Sequence, residues 1–373
     1  MKFPLLIFTV FSGVFFTRGV TSNPFLQGHL VFTLITTTSI FFHLILYPKL
    51  NKTVFFLVII ALCNTSLVLT QFYILDFSLN LINELGRVSI PILSTAAFIF
   101  VHQNIKHPRI LEQMFIVVVL FLFTVDMMFR LSDMTSFNTR YSAKSGGFLF
   151  VDSNFTGFFL ASLVLLLSHY KTLFRKHQYY TIIVITIMVL ISTGSLAAYA
   201  MVLFGLTLRA FVRNRGAYLI IALSTVLLLI FAADMLTALF NDGSLHTKVE
   251  VITKAILSIR SSNMIELFLG HGSGNFTKFT GSRYPSHNLF GLFAEVGLTF
   301  VVLQGLIYFS LCLKLSSSIC SLLVATIFVG CVSLYPLAYM SLQWVMIYVA
   351  VIAINRCEMR NYSRQTGALA GGI

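Results

Sequence analysis

One polar segment of the sequence, Gly270 to Gly297, places residue types that could do chemistry between two long apolar runs. Within it, His287 follows Pro285 and Ser286 just before the second apolar run. If Ser286 caps a helix there, His287 lies in the first turn, where the helix dipole disfavours imidazolium. The neutral ring would then be a base that can accept a proton from a hydroxyl. The alternative is a solvated histidine at a helix end.

Two arginines, Arg260 and Arg283, flank the glycines of this segment, and Arg87 lies in an apolar run three residues after Glu84. A guanidinium forks onto phosphate oxygens with two parallel hydrogen bonds and keeps its charge at any relevant pH. These three arginines are therefore candidates for binding a phosphate or pyrophosphate group. The alternatives are headgroup contacts for Arg260 and Arg283, and a structural ion pair between Arg87 and Glu84.

Glycines 270, 272 and 274 permit positive φ and close backbone approach, and the amides of Gly272 and Gly274 could cradle an anion. A plain turn is the alternative. Asn288 and Glu295 are seven residues apart on one face of the following run, as substrate contacts or as a polar contact between helices. The cysteines and histidines lack the spacing of a metal site, and we predict neither a metal nor a cofactor.

The composition determines which elements must position these residues. With 373 residues, 57% apolar and 10% charged, the chain has too little polar surface for a soluble globule. Apolar runs near the length that crosses a bilayer recur along it. They cover residues 3–17, 28–47, 53–73, 79–101, 110–129, 149–169, 179–194, 196–212, 217–240, 286–313, 318–335 and 338–355. We therefore predict one all-α membrane domain over residues 1–373, with about 12 transmembrane helices.

Two of these runs, the first and the seventh, are short, and the first also resembles a signal peptide without a cleavage site, so eleven helices is the alternative. The net charge of +13 follows from orientation. With both termini in the cytoplasm, the inner edges carry fifteen Lys and Arg residues against two acidic residues. This distribution obeys the positive-inside rule and gives no indication of a nucleic-acid partner.

The longest polar connection, residues 241–285, is then an extracytoplasmic loop. Within it, Val249, Ile252, Ile256 and Ile259 recur at helical spacing, which predicts an amphipathic helix on the outer leaflet. Ionisable residues within spans are expensive in lipid and usually face the bundle interior or a wet cavity. Seven fall in the outer half of the predicted spans, namely Glu84, Arg87, Asp126, Arg130, Asp152, Asp234 and Glu295. This asymmetry predicts a cavity open to the exterior.

Three segments carry a resemblance to a known family. The order of GHGSGNF, a polar stretch and SHNLFGLFAEVG resembles the signature region of the O-antigen ligase and O-antigen polymerase superfamily. FVDSNFTGFFL and ISTGSLAAYAM are similar to two further regions of that family, so the likeness covers residues 145–313. The family usually has an arginine after the serine of the last segment, whereas here Leu196 follows Ser195. Arg87, Arg140 or Arg283 would have to supply that phosphate contact.

The resemblance implies a GT-C-like membrane enzyme of the bacterial inner membrane in lipopolysaccharide biosynthesis. Such an enzyme moves a glycan from polyprenyl (undecaprenyl) pyrophosphate to a sugar hydroxyl on the periplasmic face, without a metal. His287 would assist deprotonation of the acceptor, and Arg260 and Arg283 would bind the pyrophosphate. A polymerase is favoured over a ligase to the lipid A core. Its partners would be lipid-linked oligosaccharide, membrane lipid and a chain-length regulator protein. A flippase for lipid-linked glycans is the alternative from another class.

Overall fold

The computed structural model describes residues 52–74, 81–132, 153–213, 243–284, 286, 288–312, 330–331, 334 and 340–370. The elements in this part of the chain are helices, as the composition predicts. They are α1 (Lys52–Ile74), α2 (Leu81–Asn104), α3 (Pro108–Ser132), α4 (Ser153–Tyr170), α5 (Lys176–Ser192), α6 (Leu196–Arg213), α7 (Gly243–Ser261), α8 (Met264–Leu269), α9 (Phe276–Thr280), α10 (Leu289–Cys312) and α11 (Met340–Ala370).

Six of these helices are long and apolar enough to cross a membrane: α1, α2, α3, α4, α10 and α11. Helices α5 and α6 are apolar but shorter in their apolar stretches. The eight lie where the sequence predicts spans, and the chain is an α-helical, multi-pass membrane protein in its described part. The predicted spans 3–17, 28–47, 217–240 and most of 318–335 lie outside the described residues, so the total of twelve and the location of the termini stay predictions.

The centre of the bundle is formed by α4 and by residues 340–353 of α11, most of which are buried. Trp344, on α11, is the largest fully buried side chain, and the core around it includes Phe98, Phe115 and Phe159. By contrast, α1 and α3 each expose one apolar face, for example at Leu62 and Phe121. A helix that is apolar all round belongs in a bundle core, whereas exposed apolar faces of membrane-length helices face lipid.

The contacts made by the helix ends show which of them lie together at each end of the bundle. At the first, Gln71 near the end of α1 and Glu84 near the start of α2 bond to residues of the 243–288 connection. We call this the loop end. At the opposite end, Arg109 bonds to the Thr172 carbonyl and joins the start of α3 to the turn after α4. The chain therefore passes alternately between the two ends, as predicted for successive spans.

The connection over residues 243–288 is folded onto α10 at the loop end and contains α7, α8 and α9. Val251, Ala255 and Phe276 form a small apolar core with Ala294 of α10. A helix is therefore present where the sequence predicts one, but its buried face differs. Val249, predicted to lie on the apolar stripe, is exposed, because α7 turns Val251 and Ala255 towards the protein.

Candidate functional site

The helix α10 is interrupted at Gly297, whose φ of 77° and ψ of 175° are not helical. Gly270, at the end of α8, has a φ of 78° and lies directly against this break. A Cβ added to Gly270 would lie 2.5 Å from the Gly297 nitrogen, and one added to Gly297 would lie 2.5 Å from the Gly270 nitrogen. Only two glycines permit both this conformation and this approach.

The break frees backbone carbonyls that the glycine-rich segment then satisfies. The amide of His271 donates to the Ala294 carbonyl at 2.9 Å, and the amide of Gly272 donates to the Glu295 carbonyl at 2.7 Å. The Gln71 side chain reaches the same Glu295 carbonyl at 3.4 Å and also bonds to the Leu269 carbonyl. Non-helical backbone at membrane depth is tolerated where its polar groups are paired inside the protein. The Gly272 amide is thus already hydrogen bonded.

Below this segment lies a cluster of charged side chains, Glu84, Arg87 and Glu295. The Arg87 guanidinium is 3.4 Å from a Glu84 carboxylate oxygen and 3.7 Å from a Glu295 carboxylate oxygen. The Ser273 hydroxyl donates to Glu84. A Cβ on Gly274 would lie 2.9 Å from the same carboxylate. The glycine-rich segment is therefore fixed to the start of α2 by the side chain of Glu84.

Glu295 is almost completely buried, with 2% of its side chain exposed. One of its carboxylate oxygens accepts a hydrogen bond from the Phe276 amide at 3.2 Å, at the start of α9. The Ser286 side chain and the Gly274 amide also lie close enough to interact with this carboxylate. A buried carboxylate needs such donors and a cation, since an uncompensated charge in this position would cost several kcal/mol.

The start of α10 differs from the sequence-based expectation. The helix begins at Leu289, and the Asn288 side chain accepts from the Gly291 amide at 2.8 Å, so Asn288 is the capping residue and Ser286 is not. His287, which we expected in the first turn, lies outside the described residues. Asn288 is buried, and its Nδ2 has no hydrogen-bond partner among the described residues.

The predicted phosphate-binding arginines lie in two different environments. Arg87 is part of the buried cluster, as the alternative of an ion pair with Glu84 predicts, with Glu295 added. Arg260, in the last turn of α7, and Arg283, after α9, are exposed, and neither side chain forms an ion pair with a described residue. The Arg283 amide donates to Glu250 at 3.3 Å. The two exposed cations thus remain free to meet an anion at the surface of the connection.

A group that the sequence analysis did not single out, Ser262, Glu266 and His271, joins the turn after α7 to the glycine-rich segment. His271 Nε2 is 2.8 Å from the Ser262 hydroxyl, and Nδ1 is 4.0 Å from a Glu266 carboxylate oxygen. The ring stacks on Phe279 with centroids 4.5 Å apart. Partial burial lowers the pKa of His271 below 6.5, and the nearby Glu266 carboxylate opposes that shift. The direction of this shift favours the neutral ring.

Two further polar groups lie inside the bundle. Towards the loop end, Asp126 and Arg130 form a buried ion pair at 2.7 Å, and the Thr156 hydroxyl donates to Asp126 at 3.2 Å. On the neighbouring helices, the Ser195 hydroxyl donates to Asn154 at 3.0 Å. Asp126 and Arg130 could be found from the sequence, because both are ionisable residues within an apolar run. Asp152 and Asp234, which we predicted in the outer half of the spans, lie outside the described residues, as does Arg140, a candidate for the phosphate contact.

At the opposite end, Glu112 is fully buried and accepts two hydrogen bonds from the Arg356 guanidinium, each at 2.7 Å. His102 Nε2 is 2.6 Å from the same carboxylate, and His102 Nδ1 is 3.0 Å from the Tyr348 hydroxyl. These contacts fasten the α2–α3 hairpin to α11. Glu112 and Arg356 are among the charges that the predicted orientation assigns to the inner edges, but their pairing was not predicted, because it requires α3 and α11 to meet.

Among the described residues, no group of three His, Cys, Asp or Glu side chains is arranged to hold a metal ion. Comparison of the sequence with protein-family models gave no match, and comparison with curated proteins gave none either.

Proposed function

We propose that the chain is a metal-independent glycosyltransferase of the bacterial inner membrane, of the O-antigen polymerase type. It would transfer a glycan from a polyprenyl-pyrophosphate carrier to a sugar hydroxyl of another lipid-linked repeat on the periplasmic face. One observation carries this proposal. A glycine-rich segment is fixed over a half-buried charged cluster, and the same connection exposes two cations, Arg260 and Arg283, which form no ion pair with a described residue.

In the proposed reaction, the acceptor oxygen bonds to the anomeric carbon as the bond between that carbon and the pyrophosphate oxygen breaks. His287 takes the proton of the acceptor hydroxyl, and Arg260 and Arg283 neutralise the departing pyrophosphate. General-base assistance would contribute roughly 10²- to 10⁴-fold in rate, and charge stabilisation of the leaving group is usually the larger contribution. Arg87 is better suited to positioning, because two carboxylates already share its charge.

The direct test uses purified protein in liposomes with a polyprenyl-pyrophosphate-linked oligosaccharide, followed by separation of the products by length. We expect His287→Ala to abolish elongation and Arg260→Gln with Arg283→Gln to raise the apparent KM for the donor. His177→Ala is the matched control, because His177 is exposed and lies at the opposite end of the bundle. Full activity of His287→Ala would refute the assigned role.

A deletion strain separates polymerase from ligase. If surface glycans show a single repeat on the lipid A core, the chain is a polymerase, and a bare core indicates a ligase. The polymerase is favoured because residues 241–285 form a connection of modest length.

The alternative from another class is a flippase, and the interruption of α10 at Gly297 favours it, since broken helices at membrane depth are typical of transporters. The same liposomes discriminate the two functions. A flippase moves the lipid-linked glycan across the bilayer without changing its length, whereas a polymerase lengthens it in liposomes or in detergent.

A further inference from the structure

The short helix α8 exposes three large apolar side chains although it is not one of the membrane-length helices. Met264 is 70% exposed, Ile265 is 58% exposed and Phe268 is 46% exposed. These values match those of apolar residues on the outward faces of the spans, such as Leu62 at 61% and Phe121 at 64%. Three neighbouring apolar side chains on one short helix make a patch that needs a partner of low polarity.

The position of α8 along the bundle indicates that partner. Its last residues touch α10 at Glu295 and Gly297, and Gln71 of α1 bonds to Leu269. Gly297 is eight residues inside α10, or about 12 Å along its axis, and Gln71 is three residues, or about 4.5 Å, from the end of α1. The end of α8 therefore lies about 4.5 to 12 Å inside the ends of the spans, a range that includes the roughly 5 to 10 Å depth of interfacial helices in a leaflet.

Both ends of α8 have polar groups that are paired within the protein, which suits an environment of low polarity. Asn263 accepts from the Glu266 amide at 2.9 Å, and the Glu266 carboxylate accepts from the Asn263 amide at 2.9 Å. At the other end, the Gly270 amide donates to the Glu266 carbonyl at 2.7 Å. Reciprocal capping of this kind leaves few backbone donors that need water.

An exposed arginine, Arg260, precedes the patch closely in the sequence. Arg260 is exposed in the last turn of α7, four residues before Met264. Interfacial anchors combine inserted apolar side chains with a cation at headgroup depth. The apolar side chains contact the acyl chains, and the cation contacts the lipid phosphates.

We propose that Met264, Ile265 and Phe268 form a wedge inserted among the acyl chains of the leaflet at the loop end, with Arg260 at the phosphate groups. The partner is the bilayer itself. The wedge holds the glycine-rich segment and the break in α10 at a fixed depth, close to where a membrane-anchored molecule presents its headgroup. The inference does not require transferase activity, so it and the proposed function fail separately.

The test uses tryptophan fluorescence. Trp344 is the only tryptophan of the chain, and its buried indole nitrogen has no hydrogen-bond partner among the described residues, so Trp344→Phe is a mild background. Phe268→Trp is placed in that background, and Thr277→Trp, at an exposed position of α9, is the matched control. Both proteins are reconstituted in liposomes of phospholipid brominated midway along one acyl chain, and aqueous iodide is added in a second series.

We expect brominated chains to reduce the emission of Phe268→Trp at least about twofold while iodide has little effect, and the reverse for Thr277→Trp. Quenching of Phe268→Trp by iodide as strong as that of Thr277→Trp overturns the proposal. Protection from both quenchers also overturns it, since that result indicates a protein partner such as a second copy.

If the Trp344→Phe background does not elute as a single species in detergent, cysteine labelling replaces it. Ile265→Cys and Thr277→Cys in the parent chain are treated in liposomes with a membrane-impermeant maleimide, and the parent gives the baseline from its own cysteines. We expect Ile265→Cys to react at least about tenfold more slowly than Thr277→Cys. Equal rates overturn the proposal.

Discussion

Gly270 and Gly297 are in direct backbone contact, although 26 residues of the chain, including α9, separate them. Each has a positive φ, and each would place a Cβ 2.5 Å from the nitrogen of the other. This contact joins the end of α8 to the break in α10 and so determines where the glycine-rich segment lies.

Gly270→Ala and Gly297→Ala should each destabilise the protein strongly, because both the conformation and the close approach exclude a side chain. We expect a loss of roughly 3 to 5 kcal/mol for each, measured as a lower midpoint of thermal unfolding in detergent. Gly305→Ala is the control in the same helix, since a Cβ there meets nothing within 4 Å. If all three variants unfold together, the contact is not formed.

Replacement of Arg87 should destabilise the loop end through the carboxylates that it leaves behind. We expect Arg87→Gln to cost about 2 to 3 kcal/mol, less than a fully buried pair would, because 27% of Arg87 is exposed to solvent. Addition of Glu295→Gln should recover much of this loss, since the buried charge is then absent. A double variant as unstable as the sum of both single variants would contradict this coupling.

The network at the opposite end should respond more strongly, because Glu112 is fully buried. Arg356→Met leaves this carboxylate with His102 alone and should cost about 3 to 5 kcal/mol. Glu112→Gln combined with Arg356→Met should be more stable than Arg356→Met alone, by thermal unfolding in detergent. The proposed transferase activity, per folded molecule, should be unchanged in the double variant, since this network lies far along α2 from the candidate site.

Acidification should loosen the glycine-rich segment through His271. Burial lowers the pKa of this histidine in the folded protein, so the unfolded segment binds more protons below the ordinary value of 6.5. Local stability is therefore complete above that value and falls as the pH decreases through it. Amide hydrogen exchange over residues 263–276, corrected for the intrinsic rate, should become faster as the pH is lowered from about 7.5 to about 5.5. His271→Gln should remove this dependence, and an unchanged dependence in that variant would assign the effect elsewhere.

The helices of the bundle could be predicted from the sequence because each depends on one local property, an apolar run long enough to cross a bilayer. The break in α10 could not, because GLFAEVGLTF reads as uninterrupted apolar helix and the contact that stabilises Gly297 comes from a distant segment. Arg87 illustrates the same limit. Its pairing with Glu84 follows from a spacing of three residues in one helix, whereas its pairing with Glu295 requires two helices to meet.

The histidine group shows why part of the candidate site was not found. Ser262, Glu266 and His271 have no distinctive spacing, and they come together only because α8 reverses the chain between α7 and the glycine-rich segment. Two neighbouring faces of α7 have similar apolar content, so the sequence of α7 does not by itself determine which face is buried. Packing against α10 buries Val251 and Ala255 and leaves Val249 exposed.

Because the carbonyls of Ala294 and Glu295 accept from the amides of His271 and Gly272, detachment of the glycine-rich segment would remove the donor of Ala294 and leave Glu295 with only the longer bond from Gln71. The segment and the upper part of α10 must therefore open and close as one cooperative unit. An insertion or deletion between residues 270 and 275 would disrupt these hydrogen-bonded pairs. The turn at Gly281 to Tyr284, which is mostly exposed, contributes to none of them. Variation in length among proteins built on this plan should accumulate at that turn.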